Sequence, residues 1–394
     1  MMKKIMKSAF ASLVGVGLLA SATTSLADVA KVICVPWQGD INKFHTAISG
    51  QSVQLKAVIK TTNTSIIWYK WVYGDGSESG VSSLSGATKY NVAVNHAYVG
   101  ANGTPFTAQL LVSHVDSTMA ASLTDNYLVQ IHDDEADARV NIAIDRGLWY
   151  LYTHQYSNTY FNSMIGEPVT GWTSYGSYFT SATAVAVLAF EINNHKETGN
   201  YDEDPYAEAV NQGLNWLLTG RYYNTPVLNP INMTQQTYGH PEDYDNNGTP
   251  DGNGIGIEVY WNGLPCYQGG MVMDAIISSG TPDADSGRDF DGDGQTDTYV
   301  EIIRDMADAY AWGQIDGNTD RYHGSWRYSW NAGYMDNSAA QWAAIGLIPA
   351  EQEWGQTIPQ FVKERNAMAL TDSYIAGPRY FTYDGSDTYL VYGS

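Results

Sequence analysis

Cationic side chains are scarce in this chain: 20 Lys and Arg stand against 42 Asp and Glu, for a net charge of -22. A nucleic-acid partner needs cations against its phosphates, so that class is excluded. Cysteine is nearly absent, with only Cys34 and Cys266. A disulfide-stapled scaffold is thereby excluded, leaving either one long-range bridge or two free thiols. Past the N-terminal segment no run is apolar enough to span a bilayer. Charged residues of either sign make up only 16% of the chain, whereas Tyr (29) and Trp (12) are abundant. That balance belongs to a globular, aromatic-rich protein and not to a disordered one. The length of 394 residues suggests two or three domains.

The N-terminus reads as an export signal over residues 1–27. "MMKKIMK" is basic, "SAFASLVGVGLLASATT" is apolar with small residues, and "SLA" before Asp28 fits a small-x-small cleavage site. Loss of Lys3, Lys4 and Lys7 takes the net charge from -22 to -25. The expected location is therefore secreted or cell-surface, periplasmic or extracellular, with no transmembrane segment after signal removal. An acidic surface there suits solubility and bound cations.

Residues 28–135 read as β-structure. "SVQLKAVI", "SIIWYKWVY" and "FTAQLLVSHV" alternate or run apolar and are separated by Gly, Ser and Asn turns. Strands at this spacing predict an immunoglobulin-like β-sandwich. Gly74-Asp75-Gly76 follows an aromatic strand, and His96 and Tyr98 precede another. Over about residues 45 to 132 this resembles a polycystic kidney disease (PKD) domain. The resemblance implies a spacer or interaction module in which His96 and Tyr98 pack and hydrogen-bond. "HDDEADAR" (132–139) reads as a solvated junction with an acidic helix start.

From Val140 the period becomes helical. "SATAVAVLAFEINNH" places Val185, Leu188, Ala189 and Ile192 on one face, and "YAEAVNQGLNWLLTG" groups Val210, Leu214, Leu217 and Leu218. The helices form a weak repeat of helix, Gly/Trp-rich loop and small-residue helix, as in stacked helical pairs. Arg146-Gly147, Tyr150-Leu151, Gln155 and the later Gly171-Trp172 resemble the QW motif of squalene and other triterpene cyclases. Gln314, Gly324 and Trp326 are similar to a degraded copy. The resemblance extends over 140–394 to the terpenoid-cyclase and protein-prenyltransferase superfamily and implies an α/α-toroid. About three and a half hairpins are legible, so the toroid is expected either to continue beyond Ser394 or to be completed by a partner. The overall expectation is a multidomain protein, β followed by all-α.

The chemistries of that superfamily are not intact. A D-x-D-D acid is approached only by Asp283 and Asp285, followed by Ser286 in a Gly/Asp loop. "GLPCYQGG" lacks a zinc set around Cys266, and Gln268 stands two residues from it, where a thioester spacing is three. Polysaccharide chemistry by a carboxylate pair remains open, with Asp336 and Glu191 as candidates for a central cavity. Asp336 equally suits the N-cap of a helix beginning at Asn337. No catalytic residue is assigned.

The clearest site signal is "RDFDGDGQTDTYV". Asp289, Asp291, Asp293, the Gln295 carbonyl and Asp297 occupy loop positions 1, 3, 5, 7 and 9, with Gly294 at the sharp turn. Hard oxygen ligands at this spacing select Ca²⁺. Val300 occupies the place of the bidentate Glu, so the loop resembles the D-x-D-x-D-G loops of exported calcium-binding repeats and not a complete EF-hand. A second copy, Asp243, Asp245, Asn247, Thr249 and Asp251, repeats the pattern with Gly248 at the turn. These two insertions, near 243–251 and 289–297, are expected to order long loops. The function expected is exported, calcium-binding, and directed to binding or assembly. A protein partner or self-assembly, or a glycan or hydrophobic ligand, would be its counterpart. The alternative is an enzyme on the toroid scaffold, terpene cyclase-like or polysaccharide-active.

Overall fold

The computed structural model describes residues 29–37, 43–156, 161–173, 178–222, 224–233, 241–243, 249–259, 264–316, 323–376, 380–383 and 390–393. The export-signal expectation, Asp245, Asn247 and Gly248 lie outside them.

The Val-, Ile- and aromatic-rich runs form strands β1 (Val29–Cys34), β2 (His45–Ile48), β3 (Ser52–Thr61), β4 (Ile67–Val72), β5 (Ser82–Leu84), β6 (Lys89–Ala97), β7 (Pro105–Ser113) and β8 (Leu123–His132). They build a three-stranded sheet, β1-β3-β6, and a five-stranded sheet, β2-β8-β7-β4-β5. All pairings are antiparallel except β2 with β8. Leu55, Ile59 and Val92 from the first sheet and Trp71, Leu110 and Val129 from the second share one core. The Gly-Asp-Gly turn closes as expected of a structural clasp. Gly74 takes φ +81° with its Cα against the Thr107 backbone, where a Cβ would sit 2.3 Å from the Thr107 oxygen. Asp75 accepts from Ser77 and pairs with His96 Nε2 at 2.7 Å, while the His96 ring stacks on Tyr73 at 3.8 Å. Burial works to raise the Asp75 pKa, but the Ser77 and His96 bonds bring it down to about 2.

Strand periodicity then sends alternate residues of β3 the other way. Val58 joins the core of the helical region, and Lys56, fully buried, meets it too. The surface they meet is α1 (Ala136–Thr153), whose buried residues Ala138, Asp145, Leu148, Trp149 and Tyr152 form one stripe. The helix begins at Ala136, inside the acidic start expected of residues 132–139, with Asp137 in its first turn.

Six more helices follow among the described residues: α2 (Phe179–Glu191), α3 (Pro205–Thr219), α4 (Pro265–Ser278), α5 (Tyr299–Gly313), α6 (Asn337–Trp354) and α7 (Gln360–Ser373). Their starts are written in the sequence. Asp204 caps α3 ahead of Pro205, Thr298 and Glu301 form a capping box on α5, and Asp336 caps α6. In space α4 lies between α2 and α6, while α3 and α5 each bridge neighbours of that row. The row packs closely through small residues. A Cβ on Gly270 would fall 1.8 Å from the Trp342 carbonyl oxygen, and one on Gly346 would fall 3.0 Å from the Gly270 Cα.

Each Trp of the repeat ties its loop back to the helix before it, and each Gln reaches a later helix, always through a backbone carbonyl and not through each other. Trp172 Nε1 donates to Leu151 O at 2.7 Å, and Gln155 Nε2 reaches Ala209 O in α3 at 2.9 Å. Likewise Trp326 Nε1 donates to Tyr310 O at 2.8 Å, and Gln314 Nε2 reaches Val362 O in α7 at 2.9 Å. No described helix is long and apolar enough to cross a membrane.

Short strands decorate the helices. β9 (Asn162–Ser163), β10 (Gly220–Tyr222) and β11 (Thr225–Pro226) form one small sheet, and β12 (Leu228–Asn232) pairs with β13 (Ile255–Val259). β14 (Tyr374–Ile375), β15 (Tyr380–Thr382) and β16 (Leu390–Gly393) make a third.

The apolar face expected of α2, with Val185, Leu188, Ala189 and Ile192, is not the side that packs. Val185 and Ile192 are exposed at 48% and 68%, while Thr183, Ala184, Val187 and Phe190 are buried. This helix is apolar nearly all round, so periodicity could not select its packed side.

Candidate functional site

One side of α2, Ser181, Ala182, Val185, Ala186 and Ala189, forms one wall of a groove of about 920 Å³. Tyr267 and Met271 of α4 form its floor, and Leu151, Tyr178, Leu264, Tyr328, Ser338 and Tyr383 complete it. Four of these residues are tyrosines, and no Asp, Glu, Lys or Arg is among the described lining residues.

Asp336 stands behind this wall, 1% exposed. Its carboxylate accepts from Ser338 N (2.8 Å), Ser338 Oγ (2.5 Å), Ala339 N (3.3 Å) and the Tyr383 hydroxyl (2.6 Å). It is thus both a helix cap and the anchor of a groove tyrosine. Burial, with Asp336 beside it, pushes the Tyr383 phenol well up, so it keeps its proton and serves as a donor. Glu191, the other cavity candidate, is not there. It is buried at the end of α2, outside the groove lining.

The second candidate is the loop before α5. Asp289, Asp291 and Asp297 each bring a carboxylate oxygen within 4.8 Å of the others. Gly292 and Gly294 take φ +81° and +92°, the left-handed turns that let the loop fold back. Asp289 accepts from Gly292 N and Gly294 N, and Asp291 from Asp293 N, which aims these carboxylates at one point. Asp297 is buried, its pKa raised by burial and by Asp291, Glu301 and Asp289. Three carboxylates held together, one of them desolvated, suit a hard cation. Asp293 is exposed and outside that trio, bonded to Gln295 N at 2.7 Å. Glu301 is spent on the capping box with Thr298, at 2.7 Å to both its nitrogen and its hydroxyl.

In the other loop Asp243 is buried, whereas Thr249 and Asp251 are exposed. Its neighbour Glu242 is fully buried and accepts from Gly254 N at 2.8 Å. Arg288 anchors the 289–297 loop to α3 and β12, its guanidinium donating to Leu218 O and Leu228 O at 3.0 Å each.

The remaining sequence candidates are structural. Asp283 and Asp285 are exposed, and Asp285 accepts from Gly287 N in a turn. Cys34 and Cys266 are both buried free thiols, raised well by burial, Cys34 also by Asp125 and Cys266 by Glu258. The groove tyrosines were not singled out from the sequence. Their only signal was the overall abundance of Tyr, because the four lie in separate segments.

No protein-family model matches the chain, and no curated protein matches it. Solved structures do. One is the PKD domain of an M14-like peptidase from Thermoplasmatales archaeon SCGC AB-540-F20, at 11% identity over 26% of this chain and 94% of that one, TM-score 0.20. Another is a family 76 glycoside hydrolase from a bovine Bacteroides thetaiotaomicron strain, at 8% identity over 90% of this chain and 66% of that one, TM-score 0.33. A third is the CARDB domain of a Pyrococcus furiosus protein in complex with di-metal ions, at 8% identity over 28% of this chain and 99% of that one, TM-score 0.21. These are proteins the chain is similar to, and at such values no activity passes from them to it.

Proposed function

We propose that this chain is an exported calcium-binding protein of the extracellular space or cell surface. It acts by binding or assembly, with the α2–α4–α6 row read as part of an α/α-toroid whose concave groove takes a neutral ligand. The groove lining carries this reading. Tyrosine rings and aliphatic side chains offer stacking and burial, and Asp336, the carboxylate bonded to the lining residues Ser338 and Tyr383, is engaged by four donors. Glycoside hydrolysis needs two carboxylates facing the bond, and protonating chemistry needs a free acid. Neither is offered by the described lining residues. Replacing Tyr267 by Ala is expected to weaken binding about threefold to tenfold, the worth of one aromatic contact. Titration calorimetry with neutral oligosaccharides and with an apolar fluorescent probe reads this. Release of reducing ends from a polysaccharide would overturn the non-catalytic reading.

The enzyme alternative has one observation in its favour, the Tyr383 hydroxyl held on Asp336 at 2.6 Å at the groove wall. If Tyr383 were a reacting donor, Tyr383→Phe would abolish turnover while leaving ligand affinity nearly unchanged.

The calcium ligands of this reading are Asp289, Asp291 and Asp297, joined by Asp293 and the Gln295 carbonyl. The twin set is Asp243, Asp245, Asn247, Thr249 and Asp251. A bound cation would offset the mutual repulsion of the trio and fix the chain between Arg288 and α5. A ligand of the native state alone stabilises it by about 2.7 kcal/mol at a hundred times its Kd. Chelator is therefore expected to lower the melting temperature by several degrees, and Asp289→Asn with Asp291→Asn to remove most of that response. A melting curve indifferent to chelator, with no heat of calcium binding, would sink the assignment.

A further inference from the structure

Glu191 was expected in the cavity and instead closes a junction behind it. It is 1% exposed, and neither carboxyl oxygen has a hydrogen-bond partner among the described residues. The ionisable groups that act on it come from three places. The turn after α2 supplies Lys196 and Glu197, α4 supplies half-buried Asp274, and α5 supplies Tyr299. Glu197, Tyr299 and Lys196 are already committed. Glu197 accepts from Thr281 Oγ1 at 2.6 Å and from the Tyr299 hydroxyl at 3.1 Å. Lys196 donates to Ser278 O at the end of α4. The next ionisable pair, His195 with Asp204 at 2.7 Å, is closed on itself.

A carboxylate with two bare oxygens in such a place would be costly, whereas the neutral acid is tolerated. We propose that the Glu191 cluster is a pH-sensitive latch: with its proton on, Glu191 closes the junction of α2, α4 and α5, and with its proton off it opens it. Burial, Glu197 and Asp274 push its pKa well up, and Lys196 only partly opposes them. Once ionised, Glu191 competes with the Ser278 carbonyl for the Lys196 ammonium, so the end of α4 loses its cap as the junction takes on charge. No role in ligand chemistry is required.

The sign follows from linkage. A carboxyl raised in the folded state contributes stability that is complete below its unfolded value of about 4.3 and is lost as pH rises through the folded value. Urea unfolding of the full chain between about pH 5 and 8 tests this against Glu191→Gln, the neutral mimic of the closed form. The folded-to-unfolded ratio of the wild type should fall relative to the variant by up to about tenfold per pH unit. Parallel profiles across that range would overturn the latch. A second variant covers the case in which Glu191→Gln does not fold. Asp274→Asn removes a charge that favours the closed form, so near-ultraviolet circular dichroism should report opening at lower pH than in the wild type. Opening at the same or higher pH would equally overturn it.

Discussion

Lys56→Met is expected to cost about 3–5 kcal/mol of stability, the size of effect seen when one partner of a buried ion pair is removed. Lys56 is fully buried and lies against both the carboxylate and the backbone oxygen of Asp145, the latter at 2.9 Å. His45 completes the group: Nδ1 is 3.1 Å from Asp145 Oδ1, and Nε2 is 2.9 Å from Val35 O. Removing Lys56 leaves Asp145 with His45 as its one remaining partner of the group, in a buried contact between sandwich and helices. Burial alone would raise the Asp145 carboxyl, but His45 and Lys56 hold it well below the usual carboxylate range. The stability it supplies is therefore complete above its unfolded value of about 3.9 and is lost as pH falls toward the folded one. Urea unfolding at neutral and acid pH measures both effects. Lys70→Met is the control, since Lys70 pairs at 2.8 Å with Glu78, 56% exposed, and such surface pairs contribute about 1 kcal/mol or less. Equal losses in the two variants would refute the buried triad. Lys56→Met combined with Asp145→Leu should recover much of the loss, because no unpaired charge is then left behind.

Gly270→Ala is expected to lose about 1–3 kcal/mol and to weaken ligand binding in the groove, whereas Gly147→Ala should gain up to about 1 kcal/mol. Both glycines sit inside helices, where Ala is intrinsically better. The difference is what a methyl group would meet. At Gly147 there is open space, but at Gly270 the Trp342 carbonyl oxygen lies 1.8 Å from the added Cβ. That obstacle is backbone and cannot rotate aside, so α4 and α6 must separate. Tyr267 and Met271 on α4 would move with respect to Ser338 on α6, and all three line the groove. Paired unfolding and binding measurements on the two variants decide it. A Gly270→Ala protein as stable as wild type would show that the two helices are not in contact there.

Much of the fold was legible because its signals are local. Strand alternation, the Gly-Asp-Gly turn and Asp336 as a cap each depend on a few neighbouring residues, and each has its counterpart in the structure. The acidic spacing of residues 289–297 is local for the same reason, and the structure brings Asp289, Asp291 and Asp297 together while leaving Asp293 outside. Lys56 shows where that legibility stops. In sequence it is a polar residue alternating out of a strand, as any solvent-facing lysine would be. Only the arrival of α1 on that face makes it a buried charge.

Glu191 and the groove tyrosines divide the same way. Glu191 was named as a cavity acid because an acid in an apolar helix invites that reading, but the direction it faces is fixed by packing against α4 and α5. Tyr178, Tyr267, Tyr328 and Tyr383 share a surface only because α2, α4 and α6 stand side by side. The sequence by itself determined the chain's acidity, its β and helical segments, its caps and the spacing of its acidic loops. All of these are properties of composition or of contacts within a few residues. The tertiary structure alone decided which charges are buried, which face of α2 meets the core and which rings line a common groove. Those depend on contacts between distant segments, whose geometry no local pattern encodes.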